Sequence, residues 1–362
     1  MKEALKLKGF VESSDAAYMK PQPNTMGIPK VLSTNGRRES TTSVFLKPVY
    51  ENNKNFKLQI ESEVVKIIFD ESVTGKATGL LYKYHDSERV ASLSEGGRVI
   101  LAASAMKTPE LLLKSGVGPG LMINNPAVGS GISDKATSCR DYSQNTTDAQ
   151  NVTGYNFVNP PEEDQRRFVE SGTGPLTQFG PLVVGFFEVN EPSHVDGKKN
   201  MVEFFVNPSD MDNEVRVQYV HLTPKMSGLK YVLDANGTVK FDVKDKASFD
   251  NGFSTKSITA ADVKMREALK KVGYDWKTEQ PGHCLIQGWS NNMNHPGGSC
   301  ALGECVSADT LIVHGLKNVA VCDSSLVPEQ TVVHSAFPLM AIALHAADIL
   351  VRDISATQKD EL

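Results

Sequence analysis

The spacing of apolar positions changes several times along this chain. Residues 1 to about 40 are polar and irregular, rich in Ser, Lys, Asn and Pro, and predict no regular element. Short β-type runs follow at Phe56 to Ile60, Val64 to Phe69 and Gly79 to Tyr84. Thr74-Gly75 fits the hairpin turn between the last two. Arg98 to Ala102 is nearly continuous in apolar residues, as in a strand covered on both faces. A helix is expected directly after it, capped by Thr108, with Pro109 at its first position and Gly116 as its stop. Strand, small-residue turn and helix together make the unit of an α/β nucleotide-binding sheet, in which ligands lie beyond the strand ends.

The second half reads differently. Residues 120 to 160 are turn-rich. Pro181 to Val189, Met201 to Val206, Val215 to His221 and Val239 to Val243 predict strands without long helices between them, hence an antiparallel sheet. Thr259-Ala-Ala-Asp262 resembles a capping box opening a helix. Met265, Leu269 and Val272 share one face of that helix, and Gly273 stops it. Asn318 to Asp323 reads as a strand ending in an acid, followed by a loop from Ser324 to Phe337. The last helix is expected from Pro338 to Arg352, with Leu339, Ile342, Ala346 and Ile349 on one face.

Composition narrows the class. Of 362 residues, 40% are hydrophobic and 22% charged, an ordinary globular balance. At roughly 150 residues per domain the length predicts two or three domains. The net charge of −5 gives no electrostatic case for a nucleic-acid partner. No stretch reaches the roughly 18 apolar residues of a membrane span; Ala336 to Val351 comes nearest and is interrupted by Pro338, His345 and Asp348. The first residues lack the apolar core of a signal peptide. Yet the chain ends in Lys359-Asp360-Glu361-Leu362, an endoplasmic-reticulum retrieval signal. With glycosylation triplets at Asn145, Asn151 and Asn236, it points to the secretory route and the endoplasmic-reticulum lumen. The five cysteines, Cys139, Cys284, Cys300, Cys305 and Cys322, form no disulfide framework and leave one or two bridges open.

Three constellations could carry chemistry. His295-Pro-Gly-Gly-Ser299 is a tight, backbone-dominated turn carrying a histidine, the usual general base near neutral pH; His334 follows. Satisfied loop histidines are the competing reading. His283, Cys284, His295, Cys300 and Cys305 have poor spacing for zinc, so no metal is expected. Gly116-Val-Gly118, Gly129-Ser-Gly131 and Gly172-Thr-Gly174 all fail to complete G-x-G-x-x-G, so the chain holds no full dinucleotide fingerprint.

Arg98-Val-Ile-Leu-Ala-Ala-Ser-Ala-Met-Lys-Thr-Pro-Glu-Leu-Leu-Leu-Lys-Ser-Gly-Val-Gly-Pro119 resembles the second signature of the glucose-methanol-choline (GMC) flavin oxidoreductases. Asn35-Gly-Arg-Arg with Ser43 to Pro48 is similar to the family segment before the Val64 strand. Val128-Gly129 with Asp134 resembles its post-signature turn, and Gly172-Thr-Gly-Pro-Leu-Thr177 a substrate-domain turn. His295-Pro-Gly-Gly-Ser299, Val321-Cys-Asp323-Ser-Ser-Leu-Val-Pro328 and His334 match the active-site end. The resemblance spans most of positions 35 to 352.

The resemblance implies an FAD-dependent oxidation of a small-molecule alcohol or sugar hydroxyl. His295 would take the alcohol proton while hydride passes to flavin N5. His334 would orient the substrate oxygen, with Asn294 beside the substrate. The Val64 backbone would meet the adenine side of FAD, and Asp323 and Ser335 its ribityl and isoalloxazine region. The electron acceptor, oxygen or a quinone, stays open. Ser104 stands where the family usually has glycine, and Gly131 and Lys135 where Asn and His are common.

The expected fold is α/β: an incomplete GMC-type FAD-binding domain plus an α+β substrate domain built on an antiparallel sheet. Residues 1–125 and 286–362 are expected in the first and 126–285 in the second. The family's N-terminal βαβ unit with its glycine fingerprint has no counterpart here, so the chain reads as a C-terminal portion of such an enzyme. Two other readings stay open: a hydroxynitrile lyase of the same family, and an inactive truncated fragment that does not hold FAD.

Overall fold

The computed structural model describes residues 2–13, 22–29, 31–134, 137–144, 155, 159–177, 181–192, 199–208, 214–221, 229–234, 236, 238–243, 255–276, 295–328 and 335–360. The chain forms two compact units. The first comprises Met1–Leu58, Ala136–Thr223 and Ser254–Met293; the second comprises Gln59–Lys135, Pro224–Phe253 and Asn294–Leu362.

The first unit is a seven-stranded sheet with a helix on one face. Its order runs Val11–Glu12, Thr25–Gly27, Val183–Pro192, Lys199–Pro208, Glu214–His221, Thr137–Gln144, Tyr274–Trp276, antiparallel apart from the first pair. Alternation sorts the side chains. Phe187, Val202, Phe204, Val217 and Tyr219 pack with Ala261, Met265, Ala268 and Leu269 of the Thr255–Lys270 helix. Val184, Phe186, Phe205 and Val220 form a smaller cluster, on the opposite face by strand alternation. Gly273, at φ 81°, ends the helical segment as expected.

Two expectations change here. Residues 1–58 belong to the sheet unit and not with residues 59–125. Thr25–Gly27 hydrogen-bonds Val183–Pro192, while Leu5, Phe10 and Met26 enter the sheet's core. The Thr137–Gln144 strand was hidden by its polarity. Its Arg140 and Tyr142 are buried because Asp262 receives them: Arg140 Nε donates at 2.8 Å, Tyr142 at 2.8 Å and Tyr219 at 2.9 Å, all to Oδ1. Asp262 is therefore a buried partner inside a helix that begins at Thr255, and no part of a capping box.

In the second unit, Ser62–Phe69, Ala77–Tyr84 and Ser87–Ser92 form an antiparallel meander. Its first turn is built on Asp70, whose Oδ1 accepts from the Ser72 and Val73 amides, with Gly75 at φ 77°. Phe56 to Ile60 forms no strand; Leu58 and Ile60 are exposed, and among the described residues no strand pairs with the run. Val239–Val243 does not join the large sheet. It pairs with Leu229–Leu233 as a separate hairpin in this unit. The Tyr231 amide of that hairpin donates to Gly129 O at 2.8 Å.

The centre of this unit is a parallel pair, Val99–Leu101 with Val319–Val321. The Ser104–Lys114 helix follows the first strand and the Ala336–Asp360 helix lies C-terminal to the second. Leu112, Val117, Val313, Ala320, Ala346 and Leu350 share one core with the pair. Val319–Val321 is buried throughout, whereas Ile100 is 48% exposed, so Val99–Leu101 is not covered on both faces. The helix starts at Ser104, one turn earlier than Thr108 and Pro109 suggested. Gly116, at φ 84°, ends it.

Candidate functional site

Asp323 stands just beyond the carboxyl end of Val319–Val321 and organises the region. Its Oδ1 accepts from the Ser325 amide at 2.8 Å and the Ser325 hydroxyl at 2.5 Å, which caps the short 3-10 turn Ser324–Leu326. Its Oδ2 accepts from the Ser104 amide at 3.0 Å and the Thr108 hydroxyl at 2.5 Å. The carboxylate thus satisfies an orphan donor at the start of Ser104–Lys114, a helix with no cap of its own at Ala103. Thr108 is a partner of Asp323 inside the first turns and not the capping residue.

The His295 turn is laid against this frame. Ser299 Oγ donates to Ala105 O at 2.6 Å, and the Ala105 amide donates to Ser324 Oγ at 3.3 Å. The Gly298 amide donates to Ser324 O at 3.2 Å, and the Cys300 amide to Ser325 O at 3.0 Å. Gly298 has φ 84°, and a Cβ there would stand 2.5 Å from Gly131 O, so only glycine fits without rearrangement.

The other side of the turn meets residues 129–134. The Gly129 amide donates to Ser299 O at 2.7 Å. Ser133 and Gly297 exchange both backbone bonds, at 3.0 and 2.9 Å. The His295 amide donates to Asp134 Oδ1 at 3.0 Å. His295 is half-buried and Asp134 buried. Four residues of the turn, His295, Gly297, Gly298 and Ser299, and Cys300 after it are therefore held through their main chain.

The expected site residues are distributed as follows. His295 and Asp323 belong to this one framework, joined through Ser324 and the Ser104–Lys114 helix. Ser335 is buried, and its carbonyl accepts from the Leu339 amide at 2.9 Å as the last helix begins. Val64 lies apart on Ser62–Phe69, an edge strand of the meander, at a bulge between Val64 and Lys66. Asn294 and His334 lie outside the described residues. Sequence reasoning gave no role to Ser299 or Ser324, whose hydroxyls hold the turn to the helix through Ala105, and it gave Thr108 the role of a cap rather than of a partner to Asp323. Their signal was only the density of Ser and Thr around the two motifs.

Cys300 and Cys305 are joined in a disulfide, with Cα atoms 4.9 Å apart, which takes both out of consideration as metal ligands. Cys139 is disulfide-bonded too, and Cys322 is a free thiol. Burial, then the neighbouring Asp323 charge, pushes the Cys322 thiol above its ordinary range. It is thus a poor nucleophile beside the site.

Family models described as GMC oxidoreductase match residues 7–137 and 235–343. An alcohol dehydrogenase [acceptor] of Pseudomonas putida is 24% identical over 369 residues, covering 92% of this chain and 65% of the relative. An oxygen-dependent choline dehydrogenase of Staphylococcus epidermidis is 25% identical over 362 residues, covering 87% and 59%. The chain therefore spans about two thirds or less of the length of these relatives. Among solved structures, a variant of Aspergillus oryzae formate oxidase studied for FAD modification superposes with a TM-score of 0.76 at 16% identity. That match covers 99% of this chain and 70% of the other, and shows a shared fold.

Proposed function

Because this chain belongs to the GMC oxidoreductase family, we propose that it carries the substrate-oxidising part of an FAD-dependent enzyme acting on a small alcohol or a sugar hydroxyl. The observation that carries this reading is the His295 turn, held on both flanks by backbone hydrogen bonds. A general base must sit within hydrogen-bond reach of the proton it removes, and a misplacement of about 1 Å can cost about 10²-fold in rate. A base on a fixed main chain meets that demand.

In this reading His295 takes the hydroxyl proton, His334 orients the substrate oxygen and Asn294 lies beside the substrate. Bound FAD would supply the acceptor, at N5, for the hydride leaving the same carbon. Asp323 and Ser335 would approach the flavin end. Because the Asp323 oxygens are already engaged, its part would be to shape the loop. Val64 would meet the adenine through its backbone, which suits a bulged position on an edge strand. The phosphates are less well provided for, since the chain has no complete glycine fingerprint.

The test has two arms. Residues 1–362 alone should bind FAD weakly or not at all, read by flavin absorbance after gel filtration. Stoichiometric yellow protein reduced by an alcohol would overturn that expectation. In FAD-loaded protein carrying this chain, His295→Ala should abolish anaerobic flavin reduction by alcohol while FAD stays bound; normal reduction would remove His295 from the role of base.

We also propose the endoplasmic-reticulum lumen as the compartment. The terminal Lys359-Asp360-Glu361-Leu362 supports it, as do the Cys300–Cys305 disulfide and disulfide-bonded Cys139, which suit an oxidising environment.

A further inference from the structure

We propose that Asp134 is the positioning residue for His295, setting through the main chain where the imidazole stands. The proposal rests on the reading of His295 as base. Asp134 is 3% exposed, and burying a carboxylate is costly unless it is well bonded. Its Oδ1 accepts the His295 amide at 3.0 Å. Separating the two would leave a buried acceptor unsatisfied, which resists movement of the turn. The bond also falls on the residue that carries the imidazole.

The neighbouring bonds explain why this one matters. Gly297 is held by Ser133, Gly298 by Ser324, and Ser299 by Gly129 and Ala105. The turn is thus anchored from Gly297 onward by groups that do not reach His295. Pro296 has no amide hydrogen to contribute. The Asp134 carboxylate holds the main chain at the N-terminal end of the turn, so loss of it removes that hold on the His295 amide while the glycines stay in place.

Asp134 itself sits on a braced segment. Gly129 accepts from the Tyr231 amide at 2.8 Å on one side and donates to Ser299 at 2.7 Å on the other. A Cβ at Gly129 would stand 2.9 Å from the Tyr231 Cβ, so the Leu229–Leu233 strand lies close against the segment. The position of the base is thereby referred, through Asp134, to a hairpin outside the parallel pair.

Asp134→Ala removes the acceptor, Asp134→Asn keeps an oxygen in the same place, and Asp134→Gln moves it by one methylene. In amide NMR of the full chain, the His295 amide should be protected from hydrogen exchange in the wild type and in Asp134→Asn. It should lose at least tenfold in protection in Asp134→Ala and Asp134→Gln, while the Gly297 amide stays protected. In FAD-loaded protein, flavin reduction should slow about 10²-fold in Asp134→Ala with substrate affinity little changed, and return to within about threefold in Asp134→Asn. If Asp134→Ala fails to fold, Asp134→Gln carries the comparison. Unchanged His295 protection and flavin reduction in Asp134→Gln would overturn the proposal. His295→Ala is run alongside: abolished reduction there with normal reduction in the Asp134 variants sinks the positioning role alone. Normal reduction in His295→Ala sinks the underlying role of the base, and the amide data then judge the Asp134 contact by itself.

Discussion

Single residues in this protein are decided by what surrounds them more than by their type. Ser104 is one case. It follows an apolar strand and opens a helix, and it has φ 77°, in the left-handed region where a Cβ is strained. The strain is offset in part because its amide reaches Asp323. Ser104→Gly should therefore stabilise the second unit by about 1 kcal/mol, read as a higher urea midpoint at constant slope. A lower midpoint would mean that the Ser104 hydroxyl does more than its 3.4 Å contact with the Met106 amide suggests. Asp323 is a second case. The sequence marked it as an acid at a strand end, which is legible. That it caps two elements at once was not, because Ser104, Thr108 and Ser325 come together only when strand and helix are packed.

At the scale of elements, the Thr137–Gln144 strand shows where pattern reading stops. Its residues lack apolar alternation, and its place in the sheet depends on Asp262 from a helix more than a hundred positions away. Arg140 and Asp262 form a buried pair at 2.7 Å, joined by the Tyr142 and Tyr219 hydroxyls. Burial, followed by the Asp262 charge, raises Tyr142 far above its ordinary 10.0; burial, then Tyr142 and Asp262, raises Tyr219 as well. Both tyrosines stay protonated in the folded state at a pH where an unfolded chain has lost those protons. Above about pH 10 the folded state therefore binds more protons than the unfolded one, and stability falls as pH rises. The wild type should lose stability from pH 10 upward with a steeper slope than Tyr142→Phe, measured by urea unfolding across pH 9 to about 11.5. Equal slopes would place the tyrosines outside the folding linkage. The apolar-rich strands, Val183–Pro192 and Lys199–Pro208 among them, needed no such partner to be recognised.

For the molecule as a whole, each unit has its own core, and chain order does not predict membership. Residues 1–58 and the 224–253 segment both fall in units other than those their neighbours suggested, because pairing with Val183–Pro192 and docking on Gly129 override sequence proximity. The second unit also keeps an open feature. Ile100 lies on a parallel pair flanked on the other side by Leu311 to Val313, and Phe337, Leu344 and Val351 recur every seven residues along the last helix as exposed apolar positions. The proposed passage through the secretory pathway is tested at this scale too. Asn236 is exposed in the turn of the Leu229–Leu233 hairpin. Full-length protein expressed in eukaryotic cells should lose mass on endoglycosidase H treatment, and Asn236→Gln should remove part of that loss; a chain with no sugar would refute the lumenal assignment. The sequence by itself determined the apolar strands apart from Phe56 to Ile60, the helix stops at Gly116 and Gly273, the His295 motif and the absence of a complete phosphate fingerprint, because each is written in local spacing and backbone preference. Only the tertiary structure decided that Asp134 holds His295, that Asp323 caps two elements and that Asp262 buries a polar strand. Those bonds join residues far apart in the chain, and no local pattern specifies which buried donor a given carboxylate will meet.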